Sequence, residues 1–271
     1  MKQEVIARIA NRRTFLKGAG MSGLGLAGAA IVGTKLFSSS SQQQVHAATS
    51  YSDADILNFA LNLEYLEAEF YAMATYGSTL VELKVLTEAE TSGPTTGGNM
   101  VPNFGSSPQA TIATALRENE IAHVQYLRSA LGSDAVKKPA INLNALGYGF
   151  ANVDSWLKLA RQFEDVGLSA YLGAAPDISS STYLAAAAAI LGTEAQHSGS
   201  IRLACIMNGV TSPAVDSMDV PPVTKMPYDV NSNALCIPRT PQQVLKIVYG
   251  GGTNSGGFYP DGMNGAINSA S

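Results

Sequence analysis

The sequence predicts an all-α protein built around a four-helix bundle, and three observations support this fold class. The chain of 271 residues is 46% hydrophobic and 14% charged, a composition typical of a globular protein with a full core rather than of a disordered chain. Four long segments repeat their apolar residues at helical spacing. Each segment also carries a glutamate on its apolar face, where an unpaired carboxylate is unexpected.

The first helix is predicted over residues 53–76. Ser52 can cap its N-terminus, and Gly77 can end it in a left-handed conformation. Its inward face carries Glu64. A connection rich in Gly, Pro, Ser and Thr follows over residues 78–107, and connections of this length are usually functional or mobile.

The second helix is predicted to begin after Ser107, with Pro108 at its first position, and to end at Gly132. Its inward face carries Glu120 and His123. A long crossover to the third helix then follows before residue 152.

The third helix is predicted over residues 154–174 and carries Glu164 on its inward face. The fourth starts after a run of serines, ends at Gly209, and carries Glu194 and His197. Four amphipathic helices with a long connection between the second and third predict a ferritin-like four-helix bundle.

The chain changes character after Gly209, where it becomes rich in proline and reads as an extended wrap. Thr240 begins a capping-box pattern that predicts a short helix over residues 244–249. We therefore divide the chain into a bundle, residues 48–209, and a C-terminal extension, residues 210–271, that packs over the bundle.

The N-terminal segment is predicted to be an export signal rather than part of the fold. Residues 11–17, NRRTFLK, resemble a twin-arginine signal, and a weakly apolar stretch and a small-residue cleavage site at residues 45–47 follow. We expect residues 1–47 to be removed after export through the twin-arginine (Tat) translocase to the periplasm or the cell exterior. The alternative is an uncleaved membrane anchor, which the many glycines and Lys35 disfavour.

The charge of the chain excludes some classes of partner. Residues 1–47 carry a net charge of +5, so removing them from a chain of net charge −4 leaves −9. A surface this acidic argues against nucleic acid and anionic lipid as partners. The two cysteines, Cys205 and Cys236, could pair after export; the alternative is that Cys205 is a buried free thiol.

Two Glu-x-x-His motifs carry the strongest chemical signal in the sequence. Residues three apart lie on one face of a helix, so each motif can direct a carboxylate and an imidazole at one metal ion. Two such motifs and one glutamate from each of two further helices form the ligand set of di-metal carboxylate bundles. The predicted ligands are Glu64, Glu120, His123, Glu164, Glu194 and His197.

The charges of these side chains suit two divalent ions. Four carboxylates neutralise a charge of +4 inside an apolar bundle, where unbalanced charge is costly. Histidine nitrogens shift the preference towards first-row metals, and we expect iron or manganese. A single Glu-x-x-His is more often a solvated pair, but here both histidines of the mature chain have this spacing.

The four helices also contain an internal repeat. Glu64 is followed seven residues later by Tyr71, and Glu164 is followed at the same distance by Tyr171. This repeat predicts two equivalent helical hairpins around a pseudo-twofold axis. The two tyrosines are either ordinary core aromatics or hydrogen-bond donors that orient the ligand carboxylates.

Two further glutamates need an assignment. Glu67 lies one turn beyond Glu64 and could replace it as a ligand, but the spacing to Tyr71 favours Glu64. Glu118 has no histidine at the right distance, and we expect it to face solvent.

The sequence also resembles a known family. The stretch 61–71, LNLEYLEAEFY, and the tail segments 238–250 and 256–260 are similar to the ferritin-like-domain family, which includes plant desiccation-related proteins and exported bacterial relatives. The Glu–Tyr pairs are similar to those of bacterioferritin and rubrerythrin. The resemblance covers about residues 52–262 and implies the fold and the six ligands named above, but no particular reaction.

These features lead to three functional hypotheses. The first is redox chemistry with oxygen or hydrogen peroxide (ferroxidase, peroxidase or catalase-like) in stress protection. The second is a metal-stabilised structural or desiccation protein without turnover. The third is iron storage, which the long loop and tail disfavour because they depart from the cage-forming bacterioferritin pattern. A homodimer is a possible assembly.

Overall fold

Four long helices and one short helix account for most of the regular structure. The computed structural model describes residues 51–102, 104–223 and 226–271, so the predicted export signal lies outside the described residues. The helices are α1 (Asp53–Tyr76), α2 (Pro108–Leu131), α3 (Val153–Ala174), α4 (Ser181–Met207) and α5 (Pro241–Val248). The bounds of the four long helices agree closely with those predicted, whereas α5 begins earlier than expected.

Local capping explains where the helices begin and end. The Ser52 hydroxyl accepts a hydrogen bond from the backbone of Asp55, whose carboxylate accepts one in return, and Gly77 ends α1 at a φ of 63°. The Ser107 hydroxyl caps α2 by accepting a hydrogen bond from the backbone of Ala110. Thr240 starts α5 with a reciprocal capping box. Because these signals are local, the sequence predicted them correctly.

The helices pack as two hairpins, with α1 against α2 and α3 against α4. Aromatic side chains fill the interior where the hairpins meet. The ring of Phe70 on α1 lies 5.0 Å from Phe163 on α3 and 5.3 Å from Phe150, in edge-to-face contacts. Each such ring contributes roughly 1.5–3 kcal/mol through burial, so this core holds the two hairpins together. The predicted ferritin-like bundle is confirmed.

The connection between α1 and α2 is attached to the crossover between α2 and α3. Strand β1 (Thr95–Thr96) pairs in parallel with strand β2 (Ile141–Asn142). The buried Glu69 of α1 accepts a hydrogen bond of 3.1 Å from the backbone of Leu80 and lies 3.8 Å from Lys138 Nζ. The all-α class stands, because each strand has only two residues.

The chain after α4 lies against the bundle. Tyr259 Oη donates a hydrogen bond of 2.7 Å to the backbone carbonyl of Asn62 on α1, and the backbone of Arg239 donates one of 3.1 Å to Ser169 on α3. Cys205 is buried and Cys236 is half-buried, and both are free thiols, so the disulfide considered from the sequence is absent. In the described part of the chain, no helix has the length and apolarity needed to cross a membrane.

Matched arginines secure the two hairpins in different ways. The fully buried Arg202 of α4 contacts Asp165 at 2.6 Å and donates to the backbone carbonyls of Val220 and Pro227. Its counterpart on α2, Arg128, donates to Tyr65 Oη at 2.6 Å and is partly exposed. Each arginine lies five residues after the histidine of its helix, but the sequence does not reveal that their partners differ.

This difference predicts unequal effects of removing the two arginines. Arg202→Ala leaves Asp165 short of a buried partner and frees two carbonyls, so we expect a loss of about 3–5 kcal/mol in the free energy of unfolding. Arg128→Ala serves as the matched control and should cost about 1 kcal/mol, because water reaches this pair. Urea unfolding of both variants tests this. Equal losses would show that the buried network does not anchor the extension.

Candidate metal centre

Each long helix places one buried glutamate in the interior of the bundle. The carboxylates belong to Glu64 on α1, Glu120 on α2, Glu164 on α3 and Glu194 on α4, and no side chain among them is more than 1% exposed. Apolar neighbours on the same helix faces cover them. Four carboxylates in such a position are unfavourable without a compensating positive charge.

The six predicted residues form two overlapping groups of possible metal ligands. One group contains Glu64, Glu120, His123 and Glu194, and the other contains Glu120, Glu164, Glu194 and His197. Within each group, one ligand atom from every residue lies within 4.8 Å of the others. The groups share Glu120 and Glu194, which could therefore bridge two ions, as carboxylates do in two-metal sites.

Each histidine reaches between carboxylates of different helices. His123 Nδ1 lies 3.1 Å from Glu120 Oε2 and 3.2 Å from Glu64 Oε2. His197 Nδ1 lies 2.8 Å from Glu120 Oε1 and 3.3 Å from Glu164 Oε2. The centroids of the two imidazole rings are 6.0 Å apart, so the two histidines serve two neighbouring positions.

Unpaired polar atoms show that the residues present fit a pair of metal ions. Five buried atoms of the cluster have no hydrogen-bond partner among the described residues: Glu120 Oε1, Glu164 Oε2, Glu194 Oε1, Glu194 Oε2 and His197 Nδ1. Glu120 Oε1 and His197 Nδ1 lie only 2.8 Å apart, but their geometry is not that of a hydrogen bond. Buried atoms of this kind are costly unless a cation satisfies them. Four carboxylates balance two divalent ions, and the nitrogen and oxygen donors suit first-row metals.

The pKa values of the clustered side chains reflect how closely the carboxylates are packed. Burial raises the pKa of Glu64 to about 7, and burial together with the charge of Glu120 raises the pKa of Glu194. Burial alone would raise the pKa of Glu120, but the adjacent histidines lower it. Burial alone would also lower the pKa of His197, yet Glu164 and Glu120 raise it to about 11. Protons thus balance part of the charge of the carboxylates, and a metal ion that bound here would displace them, so the affinity for metal would rise with pH.

Two tyrosines orient the outer glutamates. Tyr71 Oη donates a hydrogen bond to Glu164 Oε1, and Tyr171 Oη donates one of 2.5 Å to Glu64 Oε1. Each tyrosine therefore reaches the glutamate of the opposite hairpin. The other oxygen of each glutamate, Oε2, is left to face a histidine. The sequence had left open whether these tyrosines were core aromatics or hydrogen-bond donors to the ligands, and in the structure they are both buried and donors.

The sequence did not single out Asn119, which contacts His197. The Asn119 Nδ2 atom lies 3.0 Å from His197 Nε2. Because the oxygen and nitrogen of an amide are assigned from their contacts, the amide can equally turn its oxygen to this position. His197 Nε2 would then donate a proton to that oxygen, and Nδ1 would be free to bind a metal ion. No spacing pattern includes this residue, because its role depends on the partner helix.

The two remaining glutamates occupy very different positions. Glu118 is exposed to solvent, as expected. Glu67 is buried and belongs to neither ligand group, but its carboxylate lies beside the cluster. A Cβ atom built on Gly167 would lie 2.9 Å from Glu67 Oε1 and 3.0 Å from Glu194 Oε2. Both carboxylates therefore occupy space that a side chain at position 167 would fill.

Comparisons with known proteins agree with this geometry. A family model described as "Ferritin-like domain" matches residues 52–206, more than half of the chain. A desiccation-related protein of Craterostigma plantagineum is 29% identical across 56% of this chain and 52% of its own length. A ferritin-like catalase of Nesocodon mauritianus is 25% identical across 80% of this chain and 85% of its own length. The chain thus spans about half the length of the first relative and most of the second.

The close approach at Gly167 predicts a selective defect in metal binding. Gly167→Ala should push the carboxylates of Glu67 and Glu194 away and lower metal affinity by roughly 10–100-fold, as changes around metal ligands do. Gly192→Ala on α4 is the control, because a Cβ there meets nothing within 4 Å and should stabilise the helix. Calorimetric titration of both metal-free variants with Mn²⁺ measures the affinities. The same affinity in the two variants would contradict the packing described at Gly167.

Proposed function

The chain belongs to the ferritin-like domain family, and on that basis we propose that it is a di-metal oxidoreductase that holds two iron or manganese ions and reacts with hydrogen peroxide or oxygen. The observation that carries this proposal is the pair of overlapping ligand groups with unpaired buried atoms. Their donors are carboxylate oxygens and imidazole nitrogens, which suit iron and manganese.

The metal ions would supply the electrons, and the residues of the chain would fix how the reaction is organised. Glu120 and Glu194 belong to both ligand groups and would hold the two positions at a set separation. Tyr71 and Tyr171 would keep the outer glutamates turned towards the cluster, because each hydroxyl occupies the opposite oxygen. The surrounding helices exclude bulk water, which strengthens the electrostatic interactions of the ligands.

Hydrogen peroxide is the oxidant that the comparisons favour. The relative described as a ferritin-like catalase aligns with this chain over 85% of its own length. A catalase-like reaction would convert two molecules of peroxide into two of water and one of oxygen. Two neighbouring redox-active ions suit this reaction, because each turnover moves two electrons.

The proposal predicts that loss of one shared ligand abolishes activity. The mature chain loaded with manganese or iron should consume peroxide, and Glu120→Ala should lose both metal binding and consumption because Glu120 serves both groups. Glu118→Ala, two residues away and exposed, should keep both properties. Elemental analysis and oxygen release measure the two outcomes. Unchanged turnover in Glu120→Ala would refute the assignment.

A second candidate function is a metal-stabilised protein without turnover, favoured by the 29% identity to a desiccation-related protein. In this case chelation should lower the melting temperature strongly, because a ligand that binds only the folded chain stabilises it. The loaded protein should consume no peroxide and oxidise no ferrous iron. Rapid turnover in the assay above would exclude this candidate.

We also propose that the chain is exported by the twin-arginine pathway after it has folded around its metals. Copper and zinc bind such donors more tightly than manganese or iron does, so loading before export would avoid that competition outside the cytoplasm. The prediction is that the cytoplasmic precursor already contains its metal. A metal-free precursor together with a loaded exported form would contradict this order of events.

A further inference from the structure

A cavity of about 650 Å³ lies between the bundle and the C-terminal extension. Helices α1 and α3 form its inner wall, and the outer wall comes from residues 213–218, from α5 with the segment that follows it, and from Phe258. Most of the inner wall is apolar and includes Leu66, Phe163 and Val166. This chamber is partly open to solvent and lies against the same two helices that carry Glu64 and Glu164.

The inner end of the chamber reaches the metal centre through Glu67. Both Glu67 and Gly167 line the cavity. Glu67 Oε1 lies 2.9 Å and Glu194 Oε2 lies 3.0 Å from the position that a Cβ atom on Gly167 would take. The two oxygens are therefore no more than about 6 Å apart. One carboxylate therefore separates the chamber from a shared ligand of the cluster.

The pseudo-twofold repeat explains why the chamber adjoins the metal centre on this side. Glu64 and Glu164 occupy matching positions, so Glu67, three residues later, corresponds to Gly167. The glycine has no side chain, and the carboxylate of Glu67 occupies the space that this leaves. The break in symmetry thus places a carboxylate at the point where the chamber meets the cluster.

Glu67 is the buried polar side chain of the chamber that makes no hydrogen bond to the rest of the described chain. It is 4% exposed and has no hydrogen-bond partner in the described ranges. Four other polar side chains of the lining are paired: Tyr148 donates to Gln162 at 2.9 Å, and Asp216 accepts from Arg239 at 2.8 Å, while Gln243 lies at the cap of α5. A carboxyl group accepts hydrogen bonds whether or not it is ionised, so a ligand that donates one can satisfy Glu67.

The size of the chamber indicates an organic molecule rather than an oxidant alone. A water molecule takes about 30 Å³ in the liquid, and peroxide and oxygen are of similar size. Sites for small organic ligands measure about 300–1,000 Å³ and combine apolar walls with a few well-placed polar groups. The chamber has these properties, with Glu67 as its unpartnered acceptor.

We propose that this chamber binds a small neutral phenol, whose hydroxyl donates to Glu67 and whose ring packs against the apolar wall, as the reducing co-substrate of the metal centre. A neutral ligand fits because the inner wall is largely apolar, and burying a formal charge against such a wall is costly. The reaction balances as follows: two phenols each lose one electron and one proton to become phenoxyl radicals, and one hydrogen peroxide accepts both to form two waters. The redox step rests on the proposed function, whereas binding of the phenol does not.

The test measures binding directly in the metal-loaded protein. Calorimetric titration with 4-methylphenol should show saturable binding of one molecule per chain, and the anion 4-hydroxybenzoate should bind at least about tenfold more weakly. Glu67→Gln keeps the shape but replaces one carboxyl oxygen with an amide group that donates, so it should weaken 4-methylphenol binding roughly tenfold, the loss of about one hydrogen bond. It should also reduce the discrimination against the anion. Glu118→Gln is the matched control, because this glutamate is exposed.

A second variant tests the chamber independently of Glu67. Val215→Trp fills the chamber from the extension, away from the metal ligands, and should abolish phenol binding without changing the metal content. Failure of 4-methylphenol to bind a protein with its full metal content would overturn this inference alone, as would equal affinities in Glu67→Gln and Glu118→Gln. Phenol binding by a chain that takes up no metal would overturn the proposed function but keep the binding site.

Discussion

Four carboxylates enclosed in an apolar bundle are the constraint on which the rest of the structure depends. Among the described residues, the positive charges that face them are protons on His123 and His197, and the carboxylates raise the pKa values of both imidazoles against the effect of burial. Protons cannot satisfy every ligand atom, and several carboxylate oxygens remain without hydrogen bonds. Two divalent ions would neutralise the charge and occupy these atoms, so metal binding would be coupled to folding.

The two hairpins carry the same residue types at matching positions around the cluster. Where the matching residues differ, the two hairpins make different contacts. Tyr71 and Tyr171 cross between the hairpins in a matched pair of hydrogen bonds. The residue after each ligand glutamate differs, because Tyr65 on α1 meets the partly exposed Arg128 whereas Asp165 on α3 meets the buried Arg202. The α3–α4 hairpin thereby holds the C-terminal extension. The exchange of Glu67 for Gly167 is the corresponding break at the metal centre.

The segments outside the four helices complete the environment of the site. The connection before α2 pairs with the crossover through a two-residue ladder. The extension covers the bundle on the side where α1 and α3 meet it and forms the outer wall of the chamber there. The ligand carboxylates themselves are at most 1% exposed, and at such depth the interactions between charges are strong.

Local physical chemistry is what the sequence determined by itself. Capping residues, helical periodicity and the Glu-x-x-His spacing act within one or two turns, so they gave the bounds of the long helices, the bundle and the six candidate ligands. Their role as ligands and the identity of the metal stay predictions. Only the tertiary structure decided which tyrosine reaches which glutamate, that Asn119 contacts His197, that β1 pairs with β2 and that Glu67 fills the space at Gly167. These contacts join residues far apart in the chain, and no local pattern encodes them, because they depend on how the helices and the extension pack together.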